Sequence, residues 1–325
     1  MATQTVEAPT EVRPRRRRYP PIETHGVIGD LQTAALITEG GTIDWFCCPR
    51  FDSPSVFASL LDYEKGGHFQ ITPEDPGSVV RQLYLPDSAI LVTRFMTEAG
   101  VGEVEDFMPI HEPEKVTARH RIVRVIRSVR GDMKFRLECA PRFDYGRQTH
   151  DLKMGQHGAT FTAGSTSMNL NATMPLTAAG TDVHAEFVLH EGEEAGVILD
   201  FSPEGSAAGI EREEVERLRQ NTIDDWSQWL RRSTYEGRWR DVVQRSAMTL
   251  RMLTYAPTGA PVAALTTGLP ELVGGERNWD YRYTWLRDAS FSVYALLALG
   301  YRDEAVKFLR WTQQRVVDHK KGGTP

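Results

Sequence analysis

The sequence predicts a multidomain chain in which a large antiparallel β-sandwich comes first and a run of helices follows. Two patterns carry that reading. Between about residues 33 and 201, short strand-like runs recur with turn residues between them, as in an all-β sandwich. From Glu211 onward the apolar residues fall on stripes at helical spacing. The length of 325 residues suits two domains at roughly 150 residues each. The hydrophobic content of 40% is enough to build real cores.

The N-terminal residues 1–20 read as a disordered basic tail built on Arg13-Pro14-Arg15-Arg16-Arg17-Arg18. A twin-arginine export signal would need an apolar core next, and Tyr19-Pro20-Pro21-Ile22-Glu23-Thr24-His25 is not one. The sandwich is expected over 21–205. It opens on a turn at Gly29-Asp30, a strand from Thr33 to Ile37, a hairpin turn at Glu39-Gly40-Gly41 and a partner strand from Thr42 to Cys47. Cys48 to Pro54 is a rigid loop with two prolines and an Arg50/Asp52 pair, read as an interdomain ion pair or turn cap in preference to a sugar contact. Ser55 to Leu61 is expected to form a short helix. Strands follow at His68–Ile71, Ala89–Met96, Gly102–Met108, Arg121–Val129, Met133–Cys139, Ala159–Thr162, Ala185–Leu189 and Gly196–Phe201. Charged and apolar residues alternate through Arg121–Val129 and Met133–Cys139, as a sheet with one wet face requires.

A linker helix is expected within 206–235. Val215, Leu218, Trp226, Trp229 and Leu230 give it an apolar stripe, so its tryptophans should pack rather than bind. A second helix runs from about Trp239 to Tyr255 and stops at Pro257, Gly259 and Pro261. Asp288 is placed to cap a third helix that ends before Gly300, and a fourth runs from Arg302 to about Asp318.

Between the second and third helices lies the stretch with the clearest chemical signature, Asn278-Trp279-Asp280-Tyr281-Arg282-Tyr283-Thr284-Trp285-Leu286-Arg287-Asp288. Trp279, Tyr281, Tyr283 and Trp285 alternate, and Arg287 continues the series, so an extended chain would put all five on one face. Aromatic rings cover the apolar faces of a pyranose, while Arg and Asp bond its hydroxyl rim. The same composition would also suit a core segment ending in a helix cap.

The net charge of −6 argues against nucleic acid as a partner. No apolar run is long enough to span a membrane, so no membrane partner is expected. Cys47, Cys48 and Cys139 lack metal or bridging spacing and are expected to be reduced and buried, as in a cytoplasmic protein. His25, His68, His111 and His120 show no ligand spacing, and no metal or cofactor is expected.

Two stretches resemble one family. Gly29 to Leu36, together with Gly41-Thr42-Ile43-Asp44-Trp45-Phe46-Cys47-Cys48-Pro49-Arg50-Phe51-Asp52-Ser53-Pro54-Ser55, resembles the trehalase-like N-terminal domain that opens bacterial members of glycoside hydrolase family 15. Leu269-Pro270-Glu271 and Arg277 through Ala289 resemble the start of that family's catalytic domain. The resemblance implies the first helices of an (α/α)6 barrel over 236–325. It implies an inverting hydrolase that releases glucose from α-glucosides, with trehalose favoured and malto-oligosaccharide as the glucoamylase-type alternative. It assigns Arg287 and Asp288 to the hydroxyls of the terminal glucose, Trp285 to an aromatic near the acid, and Tyr281 to the ring as oxocarbenium charge develops. Trp279, Asp280 and Tyr283 are expected to support these from behind.

The family's acid and base glutamates match no residue here and are expected beyond Pro325, so no catalytic residue is assigned. Glu271 and Glu276 lie near the stretch but do not match. About three barrel helices alone would leave Phe291, Tyr294 and Leu297 exposed against Phe308, Leu309 and Trp311. Self-association, or a split-gene partner that completes the barrel, is the corresponding expectation. A catalytically silent carbohydrate-binding chain is the reading of a different class. A disaccharide phosphorylase is a third, although no Gly-rich phosphate loop is visible.

Overall fold

The computed structural model describes residues 19–75, 77–202, 207, 209–268 and 271–320. The predicted basic tail lies outside the described residues except for Tyr19 and Pro20, and so do Leu269 and Pro270. Sixteen strands build the N-terminal part. The first eight are β1 (His25–Gly29), β2 (Ala34–Thr38), β3 (Thr42–Cys47), β4 (Ser55–Phe57), β5 (His68–Pro73), β6 (Val79–Tyr84), β7 (Leu91–Met96) and β8 (Gly100–Phe107). The rest are β9 (His120–Gly131), β10 (Met133–Ala140), β11 (Asp151–Met154), β12 (Gly158–Ala163), β13 (Thr166–Ala172), β14 (Thr177–Ala179), β15 (Asp182–Leu189) and β16 (Glu194–Phe201). They form two antiparallel eight-stranded sheets. One runs β1-β2-β3-β5-β10-β15-β14, with β4 paired to β3, and the other runs β11-β12-β13-β16-β9-β8-β7-β6.

The alternation read from the sequence is the inside-outside alternation of β10, whereas the expected wet face of Arg121–Val129 is corrected, since Val123 and Val125 are buried on the outer face of β9. Met133, Phe135 and Leu137 of β10 point inward, while Lys134 and Arg136 point to solvent. Phe46, Phe57, Phe69, Phe95, Phe135 and Phe161 fill the layer between the sheets. One charged residue crosses it. Arg124 on β9 is fully buried and bonds Asp106 at 2.7 Å, the carbonyl of Phe69 at 2.9 Å and the carbonyl of Gly41 at 2.7 Å. A buried cation survives only when its donors are met, and here they tie one sheet to the other. Gly41 is needed for this approach: it has φ +73°, and a Cβ would lie 2.2 Å from the Ile71 carbonyl oxygen.

Helices follow. A single turn, α1 (Phe143–Gly146), carries Asp144 and Tyr145 at left-handed φ values of 51° and 57°. The long helix α2 (Arg212–Leu230) lays Val215 and Leu218 on Phe107, Val123 and Ile198 of the second sheet. Its far end buries Trp226 and Trp229 in a separate core with Leu31, Met248, Leu296 and Tyr301. These tryptophans are packing residues, as the stripe predicts. Helix α3 (Arg240–Met252), α4 (Leu286–Ala298) and α5 (Arg302–Lys320) are the remaining helices among the described residues. No helix among the described residues is long and apolar enough to cross a membrane.

Four further local expectations are corrected. Ser55–Leu61 is not a helix. Ser55–Phe57 is strand β4, and the amides of Ala58 and Ser59 then bond the carbonyls of Gly66 and Gly67 instead of a helical turn. The second helix stops at Met252, because Thr254–Tyr255 (β17) pairs with Ala260–Pro261 (β18) in a hairpin through Gly259. Asp288 does not cap α4; Trp285 holds the cap position without a side-chain bond, and Asp288 sits in the first turn. Phe291 and Tyr294 are 72% exposed as expected, but Phe308 is buried. Helix α5 lies against the β17–β18 hairpin, where Gly259 comes close to the backbone of Phe308.

Candidate functional site

The aromatic stretch is not a regular strand. It runs beside residues 263–268, where the amides of Ala263, Ala264 and Gly268 bond the carbonyls of Tyr283 at 3.0 Å, Tyr281 at 2.8 Å and Trp279 at 2.8 Å. The expectation of five side chains on one face is therefore corrected. Trp279, Tyr281 and Trp285 do cluster. Tyr281 stacks on Trp285 with centroids 5.0 Å apart and a 28° interplanar angle. Trp279 meets Trp285 edge-on at 6.2 Å. A Cβ on Gly268 would sit 2.6 Å from the Tyr281 ring, so only glycine lets the ring lie there. Tyr283 leaves the group and faces Arg50, Asp52 and Tyr255 across a small cavity. Arg287 leaves it because α4 begins at Leu286, which ends the two-residue period.

Arg287 and Asp288 share the exposed first turn of α4, and the Arg287 guanidinium donates to an Asp288 carboxylate oxygen at 3.1 Å. Their side chains are 69% and 34% exposed, so both can reach a ligand. An acidic residue in a first turn also faces the positive end of the helix dipole. Trp279 donates its indole N–H to Glu271 at 3.0 Å, and Trp285 donates its own to the Asp280 carbonyl at 3.3 Å. Glu271 is an exposed carboxylate with Arg277 at 3.8 Å, and Glu276 is exposed as well.

The residue that sequence reasoning missed is Arg282. It is 8% exposed and bridges the stretch to the sandwich. It bonds Asp280 at 2.7 Å and 3.0 Å, the Tyr145 hydroxyl at 2.7 Å, the Ser53 carbonyl at 3.0 Å and the Cys47 sulfur at 3.4 Å. Burial works against the guanidinium, but Asp280, Cys47 and Tyr145 outweigh it and hold its pKa above the usual arginine value. Burial also opposes the Asp280 carboxylate, yet the bonds from Arg282 hold it below the ordinary range. Burial pushes the Cys47 thiol up to about 11, partly offset by Arg282, so it stays a protonated thiol at neutral pH. The signal was the other half of the alternation: Asp280, Arg282 and Thr284 fall opposite the aromatics. Cys47, Cys48 and Cys139 are all buried and unbridged.

Arg50 and Asp52 form a two-pronged pair within one loop, at 2.9 Å and 2.6 Å, rather than a bridge between domains. Trp45 of the sandwich donates to the Leu265 carbonyl at 2.8 Å, a second tie to the segment behind the aromatics. Among the described residues, no group of three or more His, Cys, Asp or Glu side chains could hold a metal ion. Chemically, the arrangement is a stacked aromatic surface beside an accessible Arg–Asp pair, held on the sandwich by Arg282. Such a surface suits a polyhydroxylated ring.

Comparison with known proteins adds a family. A family model described as "Trehalase-like, N-terminal" matches residues 15–226, and one described as "Glycosyl hydrolases family 15" matches residues 237–324. A trehalase of Thermoplasma volcanium is 36% identical over 293 residues, which is 90% of this chain and 47% of that protein. A trehalase of Mycolicibacterium smegmatis is 36% identical over 330 residues, 94% of this chain and 49% of its own length. A trehalase of Thermoplasma acidophilum is 37% identical over 276 residues, 84% and 47% respectively. The chain thus spans about half the length of the curated relatives it matches.

Proposed function

Since this chain belongs to the trehalase-like N-terminal family and its residues 237–324 match the model of glycosyl hydrolases family 15, we propose that it is the glucose-holding part of an inverting hydrolase of α,α-trehalose, with glucose as product. The observation that carries this reading is the Tyr281–Trp285 stack beside the exposed Arg287–Asp288 pair. Asp288 accepts hydrogen bonds from the far hydroxyls of the terminal glucose, and Arg287 orients the ring as a planar donor. Tyr281 offers an electron-rich face to charge developing on the ring, and Trp285 covers its apolar side. Asp280 supports the stretch through Arg282, and Trp279 supports Trp285 edge-on. Inversion needs a carboxylic acid on the glycosidic oxygen and a carboxylate that activates water from the far face. Their separation is roughly 6.5–9.5 Å, which leaves room for the water. On this reading neither glutamate is among the residues of this chain.

The reading divides the chain into a basic tail (1–20), the sandwich (21–205), a linker (206–235) and the first barrel helices (236–325). It places the protein in the cytoplasm, where unbridged thiols persist. A further polypeptide or a second copy would cover the exposed faces of α4 and α5. Hydrolysis of α-1,4-glucans is the second reading, because the Arg–Asp pair addresses only the terminal glucose that both substrates share.

The test is a glucose-release assay on the purified chain with trehalose and with maltose, paired with trehalose binding followed by tryptophan fluorescence. Expected are binding without turnover, and a loss of about tenfold in affinity, or about 1.4 kcal/mol, for Asp288→Asn. Glucose well above blank would refute the missing glutamates. Unchanged binding by Asp288→Asn would refute the site, and maltose binding more tightly than trehalose would favour the second reading.

A further inference from the structure

Tyr283 does not join the other aromatics, and the place it goes to has a site's composition. It lines a cavity of about 190 Å³ where the sandwich meets the helices. The walls come from elements far apart in sequence. Phe51, Arg50 and Asp52 belong to the sandwich loop, Tyr255 to the β17–β18 hairpin, Tyr283 to the aromatic stretch and Trp311 to α5. Four of these six are aromatic. Phe51 and Tyr255 meet edge-on with centroids 6.5 Å apart, and Trp311 is braced by stacking on Phe308 at 6.0 Å. The loop is preset by its own bonds: the Arg50 amide donates to the Ser53 hydroxyl at 3.0 Å, and the Ser53 amide donates to the Arg50 carbonyl at 3.1 Å.

Charge decides what such a cavity can take. Its two guanidiniums are each matched by a carboxylate, Arg50 by Asp52 at 2.6 Å and Arg282 by Asp280 at 2.7 Å. An anion would find no uncompensated cation. A purely apolar ligand would leave the free hydrogen-bonding capacity of the Arg50–Asp52 pair unused. A neutral ring with apolar faces and a hydroxyl rim satisfies the aromatic walls and the ion pair together. The Asp52 side chain is 19% exposed and the Arg50 side chain 52%, so the pair stands at the mouth, where a ligand would meet it.

We propose that this seam is a second saccharide site, which takes one neutral hexose unit between Tyr283 and Tyr255 with its hydroxyls on Arg50 and Asp52. It shares no residue with the Tyr281, Trp285, Arg287 and Asp288 surface, and it rests on the hydrolase reading only for the class of ligand. Because one wall is the sandwich loop and the others come from the hairpin, the aromatic stretch and α5, it exists only when the two parts are docked.

The experiment is calorimetric titration of the purified chain with glucose, with Asp52→Asn, Tyr283→Ala and Asp288→Asn in parallel and near-ultraviolet dichroism to check packing. The expected result is two binding events in the unmodified chain. Asp52→Asn and Tyr283→Ala each weaken one event at least tenfold, and Asp288→Asn weakens the other. Should Tyr283→Ala fail to pack, Asp52→Asn in its exposed loop carries the test. A single event lost in Asp288→Asn and untouched by Asp52→Asn overturns the seam site and leaves the hydrolase surface standing. A single event with the opposite pattern upholds the seam and removes the assignment at Arg287 and Asp288. No heat of binding in the unmodified chain overturns both. Inorganic phosphate that displaces glucose from the Asp52-dependent event would overturn the neutral-ligand assignment.

Discussion

Arg282 shows what one side chain can do at a domain seam. Its partners Tyr145 and Cys47 lie 137 and 235 positions away in the sequence. That distance is why its partners were illegible: the alternation sets Arg282 apart from the aromatics, but not what it reaches until the chain closes on itself. Its five donors fork toward a carboxylate, a phenol, a carbonyl and a sulfur, a geometry that a lysine ammonium cannot reproduce. Arg282→Lys should therefore cost about 2–3 kcal/mol, below the full range for a broken buried pair because Asp280 is only partly covered. Urea unfolding of both chains measures it, and a difference under about 0.5 kcal/mol, the usual scatter for surface changes, would remove Arg282 as the anchor. Two histidines carry a pH dependence. His25 meets Asp44 at 2.9 Å and the Pro21 carbonyl at 3.0 Å; His120 meets Asp30 at 2.6 Å and the Thr117 carbonyl at 3.1 Å. Acceptors on both nitrogens favour the imidazolium. Burial pulls each pKa down, but the hydrogen bond and charge of the aspartate outweigh it, and both end above the ordinary value. The stabilisation is thus fully present below the unfolded value of roughly 6.5 and is lost as pH rises through the higher folded value. Unfolding free energy should fall from pH 6 toward pH 8.5, with a shallower slope in His120→Gln. An unchanged slope would show that His120 is not the titrating group.

Helix α2 was legible as an element because its stripe is built from residues that cannot be left in water. Val215, Leu218, Trp226, Trp229 and Leu230 are all buried. What it packs against was not legible. Trp229 stacks on Tyr301 at 3.8 Å with the rings 5° from parallel, and its indole N–H donates to Glu304 at 2.7 Å. Arg251 lies 4.8 Å from both tryptophan rings. The linker helix is thereby clamped to the start of α5. Trp229→Ala should cost about 3–5 kcal/mol through the cavity it opens. Trp229→Phe keeps the stack and loses the hydrogen bond, at about 1 kcal/mol. Urea unfolding with limited proteolysis between α2 and α4 checks this; equal effects for the two variants would show that the indole N–H, not the ring, makes the clamp. The misreading of Ser55–Leu61 has the opposite origin. Its local pattern suited a helix start, but β3 offered Phe46 and Cys47 as pairing partners, and the strand won.

At the scale of the whole molecule, the sandwich was legible because short strand-like runs recur with turn residues between them, so a wrong boundary at one strand does not change the class. The helical part was legible mainly through the aromatic stretch, since three or four helices fit many architectures. Its surface carries the last prediction. Phe291 and Tyr294 are 72% exposed, Leu286 66%, Leu309 64% and Leu297 47%. Phe291, Tyr294 and Leu297 recur at three-residue spacing along one side of α4, and Leu309 adds to them from α5, which packs beside it. Isolated exposed apolar residues are ordinary, but a contiguous set this large on a monomer marks a surface that another surface covers. Alone in solution, the chain should meet that need with itself. Sedimentation velocity at increasing concentration should show a rising weight-average mass, and 1-anilinonaphthalene-8-sulfonate fluorescence should be high at the lowest concentration and fall as association proceeds. Phe291→Glu with Leu309→Glu should hold the chain monomeric and leave the urea midpoint at the lowest concentration unmoved, because neither side chain is part of a buried core. A mass that stays monomeric across the range in the unmodified chain would mean that these faces are satisfied within one copy.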